Sequence, residues 1–276
     1  MVALLGASDI RALASELDVT PTKKWGQNFV HDANTVRKIV STAALLPGES
    51  VLEVGPGLGS LTLGLIEAGH RVTAIEIDPR LAERLPRTLV ERGGNPADLT
   101  VIQSDALHVT ELPETPTALV ANLPYNVSVP VLIHLLETFP TIRRVLVMVQ
   151  AEVGQRLAAS PGSKLYGVPS LKVAWWGDWA LEGTVSRRVF WPEPNVDSVL
   201  VGMVAHATPA DESVRGRVFA LVDGAFGQRR KTLRQALSGV TGSTTAAEEL
   251  CVTAGIDPGA RGEQLQLDGF LRLAQA

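Results

Sequence analysis

The chain has 276 residues, 45% of them apolar, and a net charge of −4, enough to bury a full core as one large domain and a small one. No apolar run approaches the roughly 20 residues of a membrane span, and the opening MVALLGASDIRALASELD carries acids early, unlike a signal peptide, so a cytoplasmic chain is expected. One cysteine, Cys251, excludes an internal disulfide, the histidines show no metal-ligand spacing, and the acidic balance restricts any nucleic-acid site to a local patch.

A short helix is expected over 8–18, followed by an irregular polar segment from Val19 to His31 with no core to belong to. Its Gly26, Gln27 and Asn28 either close over a ligand or form an ordinary linker. Asp32 is placed as the N-cap of a helix over 33–44, which Pro47-Gly48 ends. Val51 to Gly59, VLEVGPGLG, then runs an apolar strand into glycines 55, 57 and 59 and a helix over 61–68, the opening of a βαβ unit. Glycine is needed where backbone comes close to a ligand or φ is positive. The second strand, Val72 to Asp78, carries Glu76 near its end, about 20 residues past the glycines, where a carboxylate accepts hydrogen bonds from two ribose hydroxyls. The glycines read G-x-G-x-G rather than G-x-G-x-x-G, which favours a cofactor lacking phosphates, such as S-adenosylmethionine. A glycine turn that merely lets a helix pack on a sheet is the plainer alternative.

Pro79 to Arg92 predicts the next crossover helix, and Thr100 to Gln103 a third strand running into Ser104-Asp105-Ala106. Asp105 there either accepts a hydrogen bond from an adenine amino group or serves as a turn acid. The strand Ala118 to Ala121 leads into Asn122-Leu123-Pro124-Tyr125. An exocyclic purine amine is a poor nucleophile because its lone pair is delocalised into the ring. It needs acceptors that hold the nitrogen pyramidal and aim it, a role open to the Asn122 side-chain oxygen and the Leu123 or Pro124 carbonyl, with Tyr125 stacking on the base. A proline turn at a strand end is the competing reading.

Val145 to Val149 makes a fifth strand, 152–159 a helix, and Leu171 to Trp179 with Val196 to Val204 a closing pair of strands. Between that pair lies Phe190-Trp191-Pro192-Glu193-Pro194-Asn195, whose leading aromatics either face a stacked base or pack in the core. Beyond a polar joint at His206 to Asp211 all signals are helical, over 212–226, 230–237, 245–254 and 267–274. GQRRKTLRQ at 227–235 puts Arg230 and Arg234 four apart on one helix face, suited to straddling phosphates or simply to solvent.

GQNFV at 26–30, EVGPGLGSLT at 53–62, EID at 76–78, SDAL at 104–107, NLPYNVS at 122–128, FWPEPNVDS at 190–198 and FGQRRKTL at 226–233 follow one another in order. Together they resemble the ribosomal RNA small-subunit adenine N6,N6-dimethyltransferase family, the KsgA type, over essentially the whole chain. The resemblance implies a class I (Rossmann-like) methyltransferase with a seven-stranded, mostly parallel sheet over 1–206 and a small all-helical, RNA-contacting domain over 207–276. It implies S-adenosylmethionine held by Asn28, the Val30 backbone, Gly55, Gly57, Glu76, Ile77, Asp105, Ala106 and Asn122, and a target base held by Asn122, Leu123, Pro124, Tyr125 and Phe190. Val30 stands where leucine is usual, which a backbone contact tolerates.

The RNA contacts are expected at Arg229, Arg230, Lys231 and Arg234. The implied substrate is a pair of adjacent adenosines in a hairpin loop near the 3′ end of 16S RNA in the immature small subunit, each methylated twice. A monomer without metal or membrane partner is expected. Two other readings are a sibling that methylates one adenine of 23S RNA and confers macrolide resistance, and a non-catalytic RNA-binding assembly or transcription factor on the same scaffold.

Overall fold

The computed structural model describes residues 2–19, 28–124 and 127–276. In chain order its elements are α1 (Ala7–Glu16), β1 (Phe29–Val30), α2 (Ala33–Thr42), β2 (Ser50–Val54), α3 (Ser60–Glu67), β3 (Arg71–Glu76), α4 (Pro79–Glu91), β4 (Leu99–Gln103), β5 (Ala118–Asn122), α5 (Ser128–Thr138) and β6 (Arg144–Gln150). They continue with α6 (Ala151–Leu157), α7 (Val168–Val173), β7 (Gly177–Val185), β8 (Phe190–Trp191), β9 (Ser198–Ala205), α8 (Glu212–Gly227), α9 (Leu233–Ala236), α10 (Ser238–Thr241), α11 (Thr244–Thr253) and α12 (Leu267–Gln275). The chain divides into two compact units, Met1–Gly154 with Ala180–Ala205, and Gln155–Trp179 with His206–Ala276.

In the first unit the sheet order is β4-β3-β2-β5-β6-β9-β7. The pairs from β4 to β6 are parallel and β9 runs antiparallel to β6. Strands of a parallel sheet are covered on both faces, so their sequences read as continuous apolar runs rather than alternations. Leu52, Leu119 and Val147, central in β2, β5 and β6, are fully buried for this reason. Helix starts follow local chemistry: the Asp32 carboxylate accepts from the Thr35 N–H at 2.6 Å, and α4 opens on Pro79 behind Asp78, whose carboxylate accepts from the Arg80 N–H at 3.0 Å. From β2 to β4 successive strands step one way across the sheet, and from β5 onward the other. The order reverses between β2 and β5, and ligands of open α/β sheets collect outside the carboxyl ends of strands at that switch.

Three segments before His206 differ from the sequence reading. Leu171 to Trp179 is not a strand: α7 ends at Val173 and β7 begins only at Gly177. Trp175 and Trp176 are both buried although consecutive, which a strand cannot arrange on one face. Each packs edge-on to Phe219 of α8, at 6.3 and 5.9 Å between ring centroids. Val19 to His31 was expected to lack a core. Within its described part Phe29 and Val30 are buried, pairing as β1 with Trp191 and Phe190 of β8. Third, α5 follows the Asn122 turn where the motifs alone marked no element.

The second unit is helical apart from the start of β7, and takes in Gln155–Trp179 as well as the segment after His206, whereas the sequence placed one boundary at 206/207. The association follows from the Trp175 and Trp176 contacts and from Lys172, whose ammonium pairs with Asp223 at 2.8 Å. The helix expected over 230–237 begins at Leu233. Gln228 accepts from the Lys231 N–H at 2.8 Å in a turn, and the Leu233 and Arg234 N–H groups donate to the Ala260 and Pro258 carbonyls. Arg230 therefore lies outside that helix and does not share a helical face with Arg234.

Candidate active site

The carboxyl ends of β2, β3, β4 and β5 surround a cavity of about 340 Å³ within the first unit, in the lower part of the ~300–1,000 Å³ range of small-molecule sites. Each strand delivers one group by ending where it does. Gly55 follows β2, Glu76 closes β3, Asp105 stands two residues past β4, and Asn122 closes β5. All nine residues expected at the cofactor, Asn28, Val30, Gly55, Gly57, Glu76, Ile77, Asp105, Ala106 and Asn122, line this one cavity, as does Pro124.

The glycine turn is shaped by conformation and by space. Gly55 and Gly57 have φ of +68° and +58°, a region that costs an L side chain about 1–2 kcal/mol. A Cβ on Gly57 would meet the Phe29 ring at 2.8 Å, while one on Gly55 would lie 3.9 Å from Pro124 Cδ and 4.0 Å from the Asn122 carbonyl oxygen. The strand ends carrying the glycine turn and the Asn122 turn are thus in direct juxtaposition.

Glu76 is held by backbone donors: Oε2 accepts from the Gly57 N–H and Oε1 from the Asp78 N–H, both at 3.0 Å. Burial raises its pKa, and those N–H bonds oppose the shift without cancelling it. Asp78 moves the other way, lowered chiefly by its hydrogen bond with Arg80. Asp105 meets the turn-acid reading and lies on the cavity wall. Its Oδ1 caps a turn by accepting from the Leu107 N–H at 2.9 Å.

The Asn122 side chain is oriented by an N-terminal residue. Its Nδ2 donates to the Asn28 carbonyl at 3.2 Å. A carbonyl only accepts, so the amide group facing it is the NH2, and Oδ1 is the face left for a donor from elsewhere. β1 is anchored in turn, because the Ser60 hydroxyl at the start of α3 donates to the Val30 carbonyl at 2.5 Å.

The remaining expected residues fall differently. Leu123 is buried, with its N–H donating to the Met148 carbonyl, and its side chain is not on the cavity wall. Phe190 is buried in the core, paired with Val30, and is also absent from the wall; among the described residues Phe29, which stacks on Trp191 at 6.4 Å, is the aromatic that lines it. Tyr125 lies outside the described residues, as do Gly26 and Gln27. In the second unit Arg229 pairs with Glu263 at 2.8 Å and Arg234 with Glu248 at 3.3 Å, while Arg230 and Lys231 are exposed.

Glu53, on the cavity wall, was missed by the sequence reading. It is buried, its Oε2 accepts from the Thr62 hydroxyl at 2.6 Å, and burial pushes its pKa up to about 8. A glutamate inside the apolar run VLEV was the available signal, since a carboxyl in a buried strand demands a reason. Among the described residues no group of three or more His, Cys, Asp or Glu could hold a metal ion, and no helix is long and apolar enough to cross a membrane.

A mostly parallel seven-stranded sheet with an acid-lined cavity at its switch point is the class I methyltransferase fold. Residues 20–276 match the family model described as ribosomal RNA adenine dimethylase, and the chain belongs to that family. It is 64% identical over 273 residues, 98% of each chain, to a protein of Leifsonia xyli subsp. xyli named Ribosomal RNA small subunit methyltransferase A. Among solved structures it is similar to a dimethyladenosine transferase from Plasmodium falciparum, with TM-score 0.76 and 23% identity over 89% of this chain and 95% of that one. It is also similar to the 23S rRNA methyltransferase ErmE, with TM-score 0.67 and 28% identity over 90% of this chain and 98% of that one.

Proposed function

We propose that the chain dimethylates the N6 amines of two adjacent adenosines in a hairpin loop near the 3′ end of 16S ribosomal RNA, acting on the immature small subunit with S-adenosylmethionine as donor. The observation that carries this reading is the placement of Asn122 beside Gly55 in the cavity that holds Glu76 and Asp105. The family supplies the reaction class. The 64% identity to a small-subunit enzyme, against 28% to the 23S enzyme, favours the small-subunit substrate.

The residues present suit the donor. Among the described residues the cavity wall carries the carboxyls of Glu53, Glu76 and Asp105 and no Lys, Arg or His, a setting for a positively charged ligand. In this reading Glu76 takes the ribose hydroxyls, Asp105 the adenine amine, and Ile77 and Ala106 the faces of the base. When bound, S-adenosylmethionine supplies an electrophilic methyl group on sulfonium. The protein's own contribution is orientation: Asn122 Oδ1 accepts from the target amine, drawing its lone pair out of conjugation and aiming it, while the Asn28 carbonyl keeps the amide from turning over. The amine's proton then passes to solvent. Arg229, Arg230, Lys231 and Arg234 give the helical unit its phosphate contacts.

The experiment is transfer of labelled methyl groups to immature small subunits by the wild type and by Asn122→Ala. Transfer that survives Asn122→Ala at the wild-type rate overturns the proposed role of the turn.

A further inference from the structure

Among the described residues, the cavity holds an acid with no charge partner. Glu53 is the penultimate residue of β2, is 1% exposed, and among the described residues its hydrogen bond comes from one neutral group, the Thr62 hydroxyl of α3. The groups around it are settled by the elements that line the same cavity. α3 contributes Thr62, α2 contributes the apolar Val36 and Ile39, β3 contributes a second carboxyl in Glu76, and the turn after β4 contributes Asp105. No described Lys, Arg or His lines the wall. A buried carboxylate in that company is unfavourable, whereas a buried carboxylic acid is not. The balance changes when a cation enters and water leaves, because Coulomb attraction is strong where the dielectric is low.

We infer that Glu53 carries a proton while the cavity contains no cation and releases it to solvent when the positively charged donor binds, which makes cofactor binding proton-linked. The inference rests on S-adenosylmethionine being the ligand. On binding, the Glu53 O–H bond breaks, the proton goes to buffer and the bonding pair stays on the carboxylate oxygen. It regains a proton from buffer after the methyl group has gone and the product, which lacks the sulfonium charge, departs. The direction of its pKa shift, upward by burial, agrees with this geometry.

The test is isothermal titration calorimetry of the full chain with S-adenosylmethionine at pH 6.5, in buffers of different ionisation enthalpy, for wild type, Glu53→Gln and Thr62→Val. The ligand's own amine titrates near pH ~7.7, so the quantity read is the difference in proton count between wild type and Glu53→Gln. We expect that difference to approach one proton released per cofactor, and the wild-type affinity to rise by up to about tenfold per pH unit towards pH 8 while that of Glu53→Gln rises less.

Among the described residues Thr62→Val deletes the one hydroxyl that favours the carboxylate, so it should move the pH dependence upward and serves if Glu53→Gln does not fold. Binding with the same proton count in wild type and Glu53→Gln, or a pH dependence unmoved by Thr62→Val, overturns the inference and leaves the cofactor reading intact. Absence of any binding by wild type overturns the cofactor reading itself.

Discussion

The Asn122 side-chain amide donates to the Asn28 backbone carbonyl across 3.2 Å, joining residues 94 apart in sequence at the rim of one cavity. The bond does not touch substrate, yet it decides which end of the amide does. Asn122→Asp keeps the shape and replaces the donor with a second acceptor, which the Asn28 carbonyl repels. Turnover should fall by about 10²–10³-fold, the loss typical of one misplaced transition-state hydrogen bond, while cofactor affinity measured by calorimetry changes far less. Parallel losses in both quantities would count against a role in aiming the amine.

Glu76→Ala should act on the other half of the reaction. Its carboxylate is preset by the Gly57 and Asp78 N–H groups, so removal loses the ribose acceptor and loosens the glycine turn together. Cofactor affinity should drop by about tenfold or more, the equivalent of one charge-assisted hydrogen bond. Unchanged affinity by calorimetry would remove the ribose assignment.

The stability of the free chain should carry the signature of Glu53. Its folded pKa of about 8 lies above the ordinary 4.5, so the folded state binds the proton more tightly than the unfolded one. Stability from this group is complete below about pH 4.5 and is lost as pH rises towards 8. Thermal melts from pH 5 to 8.5 should therefore show a fall in Tm for wild type that is reduced in Glu53→Gln. Equal slopes in the two proteins would contradict it.

Gly57→Ala and Gly55→Ala separate space from conformation. Both positions have positive φ, but only at Gly57 does the new methyl run into a ring, that of Phe29 at 2.8 Å. Gly55→Ala should cost about 1–2 kcal/mol in urea unfolding and Gly57→Ala more, with the larger loss of cofactor binding. The reverse order would mean that Phe29 yields without cost.

Much of this site was legible because strand ends announce themselves. Apolar runs stop at Gly55, Glu76, Asp105 and Asn122, and the parallel-sheet rule gathers such ends on one edge. What the residues hid was set by tertiary pairing. Phe29 and Val30 looked like part of an irregular linker because a two-residue strand has no periodicity, and their partner β8 lies about 160 residues away. The tryptophan run at 175–179 invited a strand because aromatic residues favour sheets, but its burial is decided by Phe219 in α8. Arg230 and Arg234 fit a helical spacing that the turn at 228–231 breaks. Glu53 was hidden by its own neighbours, since a hydrophobic pattern gives no weight to one carboxyl within it.

Methyl transfer to adjacent adenosines of small-subunit RNA can be read out by incubating the purified chain with labelled S-adenosylmethionine and immature small or large subunits in parallel, then mapping modified bases. The expected product is dimethylated N6 at two neighbouring adenosines near the 3′ end of 16S RNA, with no label in the large subunit. Label on an adenine of 23S RNA, or on neither RNA, would contradict the proposed function.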